Sequence, residues 1–406
     1  MRTKRQTNRI ITFLTQNGLA KVGLSTLFLI TVLIGCDSND NLGQFPLDKD
    51  APAAPTEPNV ENTHGGAIIK YKVPTNGDLL YVQATYEING VKKITKSSVY
   101  KNSLEVEGFG DTKEYSVELR SVDRSKNLSE PLVVKINPLT PPTHLIYETM
   151  KMETSFGGVR LTWKNEAKKN VVISFMAADS TGTLVDAENV YTSIKDGSFT
   201  LRGFDATERE FAVYVRDRWD NYSDTLKGAF TPWFEEELDK EKFKAVFLPN
   251  DAEKTGHLLS RVWDDIISEG KGFWHTNQEE LPIKCTIDLG QKVKLSRYKI
   301  WQRPGAFYYT HNNPKVWEIY GSNEPGATGE LDDGTWTKLV ADESFKPSGD
   351  GPVTNEDKEY ADRGEEFEFP LDAPEVRYLR FVMYENWSGG NIAQMGEMSF
   401  WGQIVE

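Results

Sequence analysis

The sequence predicts an all-β chain built from several sandwiches in series, and three observations carry that reading. Stretches such as Val159, Arg160, Leu161, Thr162 and Trp163 alternate apolar and polar side chains, the period of two of a half-buried strand. A set of signals recurs at a separation of about 92 to 96 residues, the size of one sandwich unit. The chain has 406 residues, and at roughly 150 residues per domain, nearer 100 for sandwich units, that makes about three to four domains. Composition then narrows the function classes. Apolar residues at 38% and aromatics at 11% suffice for several packed cores, whereas 61 acidic against 47 basic residues leave no basic face for nucleic acid.

The elements follow in chain order. Residues 1–36 are set apart by Arg2, Lys4, Arg5, Arg9 and Lys21, by the lack of any acid, and by an apolar run from Val22 to Ile34. A charged lead before a short apolar run is the pattern of a secretory signal, and the run is shorter than the roughly 20 residues that cross a bilayer. It ends in Leu33, Ile34, Gly35 and Cys36, which resembles a bacterial lipobox. The resemblance implies cleavage before Cys36, lipidation of its thiol and anchoring by acyl chains. Residues 37–58 begin with Asp37, Ser38, Asn39 and Asp40 and continue with Pro46, Pro52, Pro55 and Pro58, which reads as an extended tether. The early acids resemble the export signal of Bacteroidota-type surface lipoproteins; a merely soluble tether would have the same composition. With Cys36 acylated, only Cys285 remains, so no intrachain disulfide staples the mature domains, and Cys285 is expected as a buried small hydrophobe.

The repeat occupies residues 59–140 and 141–232. His64, Gly65, Gly66, Ala67, Ile68, Ile69, Lys70 and Tyr71 in the first answer to Phe156, Gly157, Gly158, Val159, Arg160, Leu161, Thr162 and Trp163 in the second. Gly108 and Phe109 answer to Gly203 and Phe204, and the strand from Tyr115 to Arg120 to that from Phe211 to Arg216; each repeat closes on a turn with Asn and Ser. These units resemble fibronectin type III domains, although the first has Tyr71 where that family has tryptophan, and the resemblance implies spacers. Pro141 and Pro142 break the chain between them. Residues 233–246 form a linker, with Leu238, Phe243 and Val246 among charges, and are expected to make a short helix with a solvated charged face.

Residues 247–406 carry landmarks in order: Trp263, Asp264, Asp265; Gly272, Phe273, Trp274, His275, Thr276; Ile287, Asp288, Leu289, Gly290; Trp317 to Asn323; Val376 to Phe381; and Gly396 to Gly402. Together they resemble a discoidin-type domain, also called the coagulation factor five/eight type C fold, a galactose-binding-like β-sandwich. One turn departs from that family's pattern, at Gly321, Ser322, Asn323 and Glu324.

Such domains commonly bind carbohydrate, and the chemistry is simple: an aromatic face for the apolar side of a sugar ring, and Arg, Asn or His for its hydroxyls. Two clusters offer the mixture. One runs from Trp301 through Arg303, Phe307, Tyr308, Tyr309 and His311; the other holds Asn386, Trp387 and Asn391. Tyr298, Ile300 and Gln302 alternate with Lys299, Trp301 and Arg303, which puts Trp301 on a charged face. Either these rings stand in water and stack on saccharides, or they plug the loops from inside. The resemblance also implies a structural calcium ion, with Asp264, Asp265, Thr276 and Glu397 at the matching positions; the aspartates would serve equally as a cap or as solvated surface.

No GxSxG, HExxH or GxxxxGK motif occurs, and five scattered histidines lack metal-ligand spacing. No catalysis is expected. The order of parts resembles accessory lipoproteins beside glycan-importing outer-membrane transporters. It implies a lipid-anchored, cell-surface protein that captures polysaccharide for such a transporter and its binding lipoprotein. The alternative is a structural or protein-interaction subunit that never meets sugar, since exposed aromatics serve both ends.

Overall fold

The structure, a computed structural model, describes residues 48–75, 77–252 and 255–405. The leader, Cys36 and the start of the tether lie outside the described residues. The chain divides into two compact units, Met1–Leu139 and Thr140–Glu406. The described residues are almost wholly β, as the alternation requires. Among them no helix is long and apolar enough to cross a membrane.

In the first unit a three-stranded sheet, Thr56–Thr63, Gly66–Lys72 and Ser103–Glu107, faces a four-stranded one ordered Val91–Ser98, Leu79–Ile88, Tyr115–Asp123, Leu132–Ile136. Ile69, Tyr71, Val82, Phe109, Val117 and Leu119 are buried between them. The expected tether is corrected here: its last residues are already the first strand, and Pro52 and Pro55 are buried. The backbone N–H of Asp48 donates to Ser125 Oγ at 3.0 Å.

The second sandwich opens the second unit and repeats the strand order: Lys151–Ser155, Gly158–Lys164 and Asp196–Leu201 in one sheet, then Leu184–Thr192, Val171–Ala178, Arg209–Arg216 and Leu226–Phe230 in the other. The paired glycines show why the motif recurs. Gly65 and Gly157 have φ of 68° and 66°, in the left-handed region. A Cβ on Gly66 would lie 2.2 Å from the Val106 carbonyl oxygen, and one on Gly158 1.8 Å from that of Leu201. The closing turns also coincide. Asp123 Oδ1 accepts the N–H of Asn127 at 2.8 Å, and Asp217 Oδ1 that of Asn221 at 3.1 Å. Ser129 and Ser223 cap the neighbouring strands at Ser121 and Val215. Trp163 is buried, with its ring over Gly197.

The third domain is one large bent sheet. Its spine is the strand Ile283–Trp301, which pairs with Val376–Asn386 over its first half and with Glu397–Ile404 over its second, the register breaking between Asp288 and Val293. Pro314–Ser322 and Thr337–Glu343 extend the sheet. Trp317, Tyr298, Phe369, Phe381 and Phe400 fill the core, and Cys285 is buried there, its thiol pushed up by burial. Trp274 is also core.

The linker is a second correction. The expected helix is only the 3₁₀ turn Lys240–Lys242; Glu236–Glu237 and Lys244–Val246 instead pair as strands with Glu397–Ile404 and Ile283–Trp301. Leu238 and Phe243, on either side of that turn, are buried in the third domain's core instead of lining a helix. Nor is the charge run solvated throughout. Glu235 is nearly buried and accepts from Arg202 at 3.0 Å and from Arg297 at 3.2 Å; Arg202 also reaches Glu368 at 2.8 Å. This network joins the second sandwich to the third domain.

Candidate functional site

Three loops meet at one end of the third domain. Past Trp301 the chain runs through Gln302 and Arg303 into the 3₁₀ turn Gly305–Phe307, then Tyr308 to Asn313. A second loop follows Asn386, and a third spans 255–280. Backbone bonds tie them: Trp387 N–H to Asn313 O at 3.0 Å, Gln394 N–H to Asn312 O at 2.9 Å, Thr276 N–H to Ala393 O at 3.0 Å. The two clusters read from the sequence are therefore neighbours.

Their rings divide between inside and outside. Tyr308 and Tyr309 are each 4% exposed and pack with Ala361, Val353 and Trp387. The Tyr309 hydroxyl donates to Phe345 O at 3.1 Å, and its N–H to Gln302 Oε1 at 2.7 Å. Tyr308 donates its hydroxyl to Asp362. Burial raises both phenols well above the ordinary tyrosine range. The short helix Asn355–Asp362 covers them, started by a capping box between Thr354 and Asp357. Asn386 is buried too. Its Oδ1 accepts from Ser388 and Gly390 N–H, and its Nδ2 donates to Gly390 and Ile392 carbonyls. These three are corrected from sugar contacts to loop supports, because a sealed ring or a fully bonded amide has nothing left to offer a ligand. Trp387 is half-buried, edge-on to Tyr309 at 5.2 Å, with Nε1 donating to Ser344 Oγ at 3.3 Å. Trp301 is half-buried against Gly364, where a Cβ would come within 2.5 Å of its ring.

Around the Arg303 guanidinium runs a row of rings whose ends, His257 and His311, are exposed and whose middle ring, Phe273, is only 3% exposed and serves as backing. The Arg303 guanidinium lies 3.6 Å from the Phe307 ring centroid and 3.9 Å from that of Phe273. Phe307 meets His311 at 4.7 Å, and Phe273 stacks on His257 at 4.5 Å, with His275 5.8 Å beyond. Arg303 is held in the row by Nε donating to Glu269 O at 2.9 Å and Nη1 to Gln394 Oε1 at 3.0 Å. His257, His311 and Asn391 are exposed. Burial, then the neighbouring His257, lowers His275 below the ordinary histidine value, so at neutral pH its imidazole is uncharged, with one donor and one acceptor nitrogen. Rings, a planar cation and imidazoles together suit a ligand with apolar faces and hydroxyl edges. Sequence reasoning missed His257 and treated Phe273 only as a landmark; their pairing was visible in the text only as two histidines flanking one aromatic pair.

The expected calcium ligands do not converge as an oxygen shell. Thr276 Oγ1 donates to Asn277 O at 2.8 Å and accepts from Ala393 N–H at 3.0 Å. Asp264 accepts from Ile266 N–H at 3.0 Å and pairs with Arg261 at 3.2 Å. Asp265 and Glu397 both meet the ammonium of Lys240, each at 2.6 Å. Burial pushes Glu397 up to about 7. Burial pulls Lys240 down, but its bonds to Asp265 and Glu397 outweigh that and raise it.

Residues 52–138, 139–241 and 263–402 match three domain families, DUF4959, DUF5126 and DUF5000, each described as a domain of unknown function. No curated protein matches the sequence. Among solved structures, the chain is similar to SusE-like protein BT2857, with 34% identity over 65% of this chain and 100% of that one and a TM-score of 0.44. It is also similar to CBM32-3 from a family 31 glycoside hydrolase of Clostridium perfringens (18% identity, 41% of this chain and 95% of that one, TM-score 0.31). The family 32 CBM of C. perfringens NanJ, solved with galactose, is 16% identical over 41% of this chain and 98% of its own, with a TM-score of 0.30. Given 34% sequence identity across the whole of that relative, the chain belongs to the same family as the SusE-like protein.

Proposed function

We propose that this protein is a non-catalytic, lipid-anchored glycan-binding protein of the outer membrane, which captures polysaccharide for an uptake system. Membership in the family of a SusE-like protein supports the setting. The observation that carries the binding role is the row His311, Phe307, Arg303, Phe273, His257 at the loop end of the third domain. A sugar ring lays its C–H face on the part-exposed Phe307, with buried Phe273 only backing Arg303, and bonds its hydroxyls to the exposed His257 and His311 and to Asn391. Cys36 supplies the anchor, and a transporter with its binding lipoprotein is the partner that receives the glycan. An open row of this kind binds one saccharide weakly, and repeated units in a polysaccharide then raise the net affinity.

The purified protein on a polysaccharide panel, followed by calorimetry with Arg303→Ala and His311→Ala, tests the proposal. Binding that weakens in both variants is expected; binding unaltered by either removes the site. A second reading, a grip on a partner protein, is favoured by Leu258, Ile266 and Ile267, which are 50%, 45% and 42% exposed beside the row. A silent panel together with a partner retained in membrane pull-downs, and lost on Ile266→Asp, would select that reading.

A further inference from the structure

We propose that the ammonium of Lys240 is the resident cation of the pocket formed by Asp265 and Glu397, in place of a metal ion, and that this pocket accepts a divalent cation only when the ammonium is removed. The geometry leaves no room for both. Nζ sits 2.6 Å from Asp265 Oδ1 and 2.6 Å from Glu397 Oε1, which are the two carboxylates a calcium ion would need. Calcium takes six to eight oxygens at about 2.3–2.6 Å, and a second positive charge in the same space would be repelled.

The Lys240 position is fixed from both sides. Glu236 and Glu237 pair with Gly402 and Trp401, Lys244 to Val246 pair with Asp288 to Thr286, and the Leu238 N–H donates to Phe400 O at 2.8 Å. Asp239 caps the turn by accepting the Glu241 N–H at 3.0 Å. The lysine side chain is 11% exposed and Glu397 2%, while Asp265 is 76% exposed, so the chain itself delivers the charge to a buried carboxylate at the foot of a solvent-facing one. The pocket also keeps an unused donor of electrons. Glu397 Oε2 is buried and has no hydrogen-bond partner, and the residue is 1% exposed. The adjoining Asp264 carboxylate is spent on Arg261 and the Ile266 N–H. Without Lys240, the spare oxygen, its partner Oε1 and Asp265 would form a pocket of carboxylate oxygens that water and a divalent ion can fill. The ammonium therefore does two tasks: it neutralises Glu397 and it clasps the segment entering the domain to the loop end.

Thermal unfolding of the whole protein, with calcium chloride and with EDTA, tests this, together with calcium calorimetry. Wild type is expected to melt at one temperature in both solutions and to give no calcium heat. Lys240→Ala leaves Glu397 buried and unpaired, so its melting temperature should fall by about 10 °C, be partly restored by calcium and fall again with EDTA. Adding Glu397→Gln to Lys240→Ala should abolish the calcium response. A wild-type protein stabilised by calcium or loosened by EDTA overturns the assignment, and this arm decides even where the alanine variant fails to fold. A folded Lys240→Ala indifferent to calcium overturns the latent site.

Discussion

Phe307 and Tyr309 stand two residues apart in one loop, yet they belong to opposite sides of the domain end. Gly305, at φ 75°, starts a tight 3₁₀ turn, and Tyr309 itself has φ 50°, so the chain reverses twice within five residues. The first reversal leaves Phe307 against Arg303 on the outer row. The second drives Tyr308 and Tyr309 under the helix Asn355–Asp362. The two kinds of aromatic cannot be told apart by type or density. What separates them is whether another segment, here one about 50 residues further on, lies over them. The buried tyrosines hold the loop, and the loop holds the row.

That division has consequences of different size, and the largest falls on the buried side. Tyr309→Ala should cost about 3–5 kcal/mol of stability by opening a cavity in a packed cluster. Tyr309→Phe, which loses only the bond to the Phe345 carbonyl, should cost about 1 kcal/mol. Denaturant unfolding of both variants checks this. A stable Tyr309→Ala that had lost glycan binding would put Tyr309 back among the contacts and break the comparison.

Next comes the cover itself. Asp357 accepts from the N–H groups of Ser348 and Thr354 and from the Ser348 hydroxyl, and despite burial these bonds hold its carboxyl well below the ordinary range. Losing that cap in Asp357→Ala should cost about 1–2 kcal/mol. The pH dependence has a definite sign. Because the folded value is depressed, the contribution is fully present above about pH 4, where the unfolded carboxyl ionises, and is lost as pH falls from there through the lower folded value. Melting curves of wild type and Asp357→Asn should therefore converge on acidification; curves that stay parallel from neutral pH down would show that the carboxylate charge is not what holds the cover.

How much of this was legible in the sequence follows the range of the interactions. Tyr298, Ile300 and Gln302 against Lys299, Trp301 and Arg303 could be read from period alone, and the structure buries the first three. The repeated Gly-Gly pairs could be seen but not explained, since the need for a missing Cβ comes from carbonyls at Val106 and Leu201, some 40 residues away. The linker misled because apolar residues among charges do not say what will bury them: Leu238 and Phe243 lie between two short strands, and the sheet that captures those strands is built from later sequence. The ion pair at the calcium candidates is of longer range still. Asp265 and Glu397 both meet the ammonium of Lys240, 157 residues before Glu397, and no local pattern announces that lysine.

The smallest effects belong to the open row, and they sharpen the comparison most. Arg303→Lys keeps a positive charge but loses the flat group that lies between Phe273 and Phe307 and bonds Glu269 and Gln394 together. Glycan affinity should drop about tenfold, a change of roughly 1.4 kcal/mol, with a smaller loss of stability. His311→Ala and Asn391→Ala remove exposed groups, so unfolding should move by no more than about 0.5 kcal/mol, while affinity falls a few-fold. Calorimetry beside unfolding separates the two quantities. Side chains on the inner face should change stability and drag binding with it, whereas exposed ones on the outer face should change binding alone and Arg303, bonded within the row, mainly binding. A His311→Ala protein that unfolds readily, or an Arg303→Lys protein that binds as wild type, would mean that the row is scaffold and that a ligand meets the domain elsewhere.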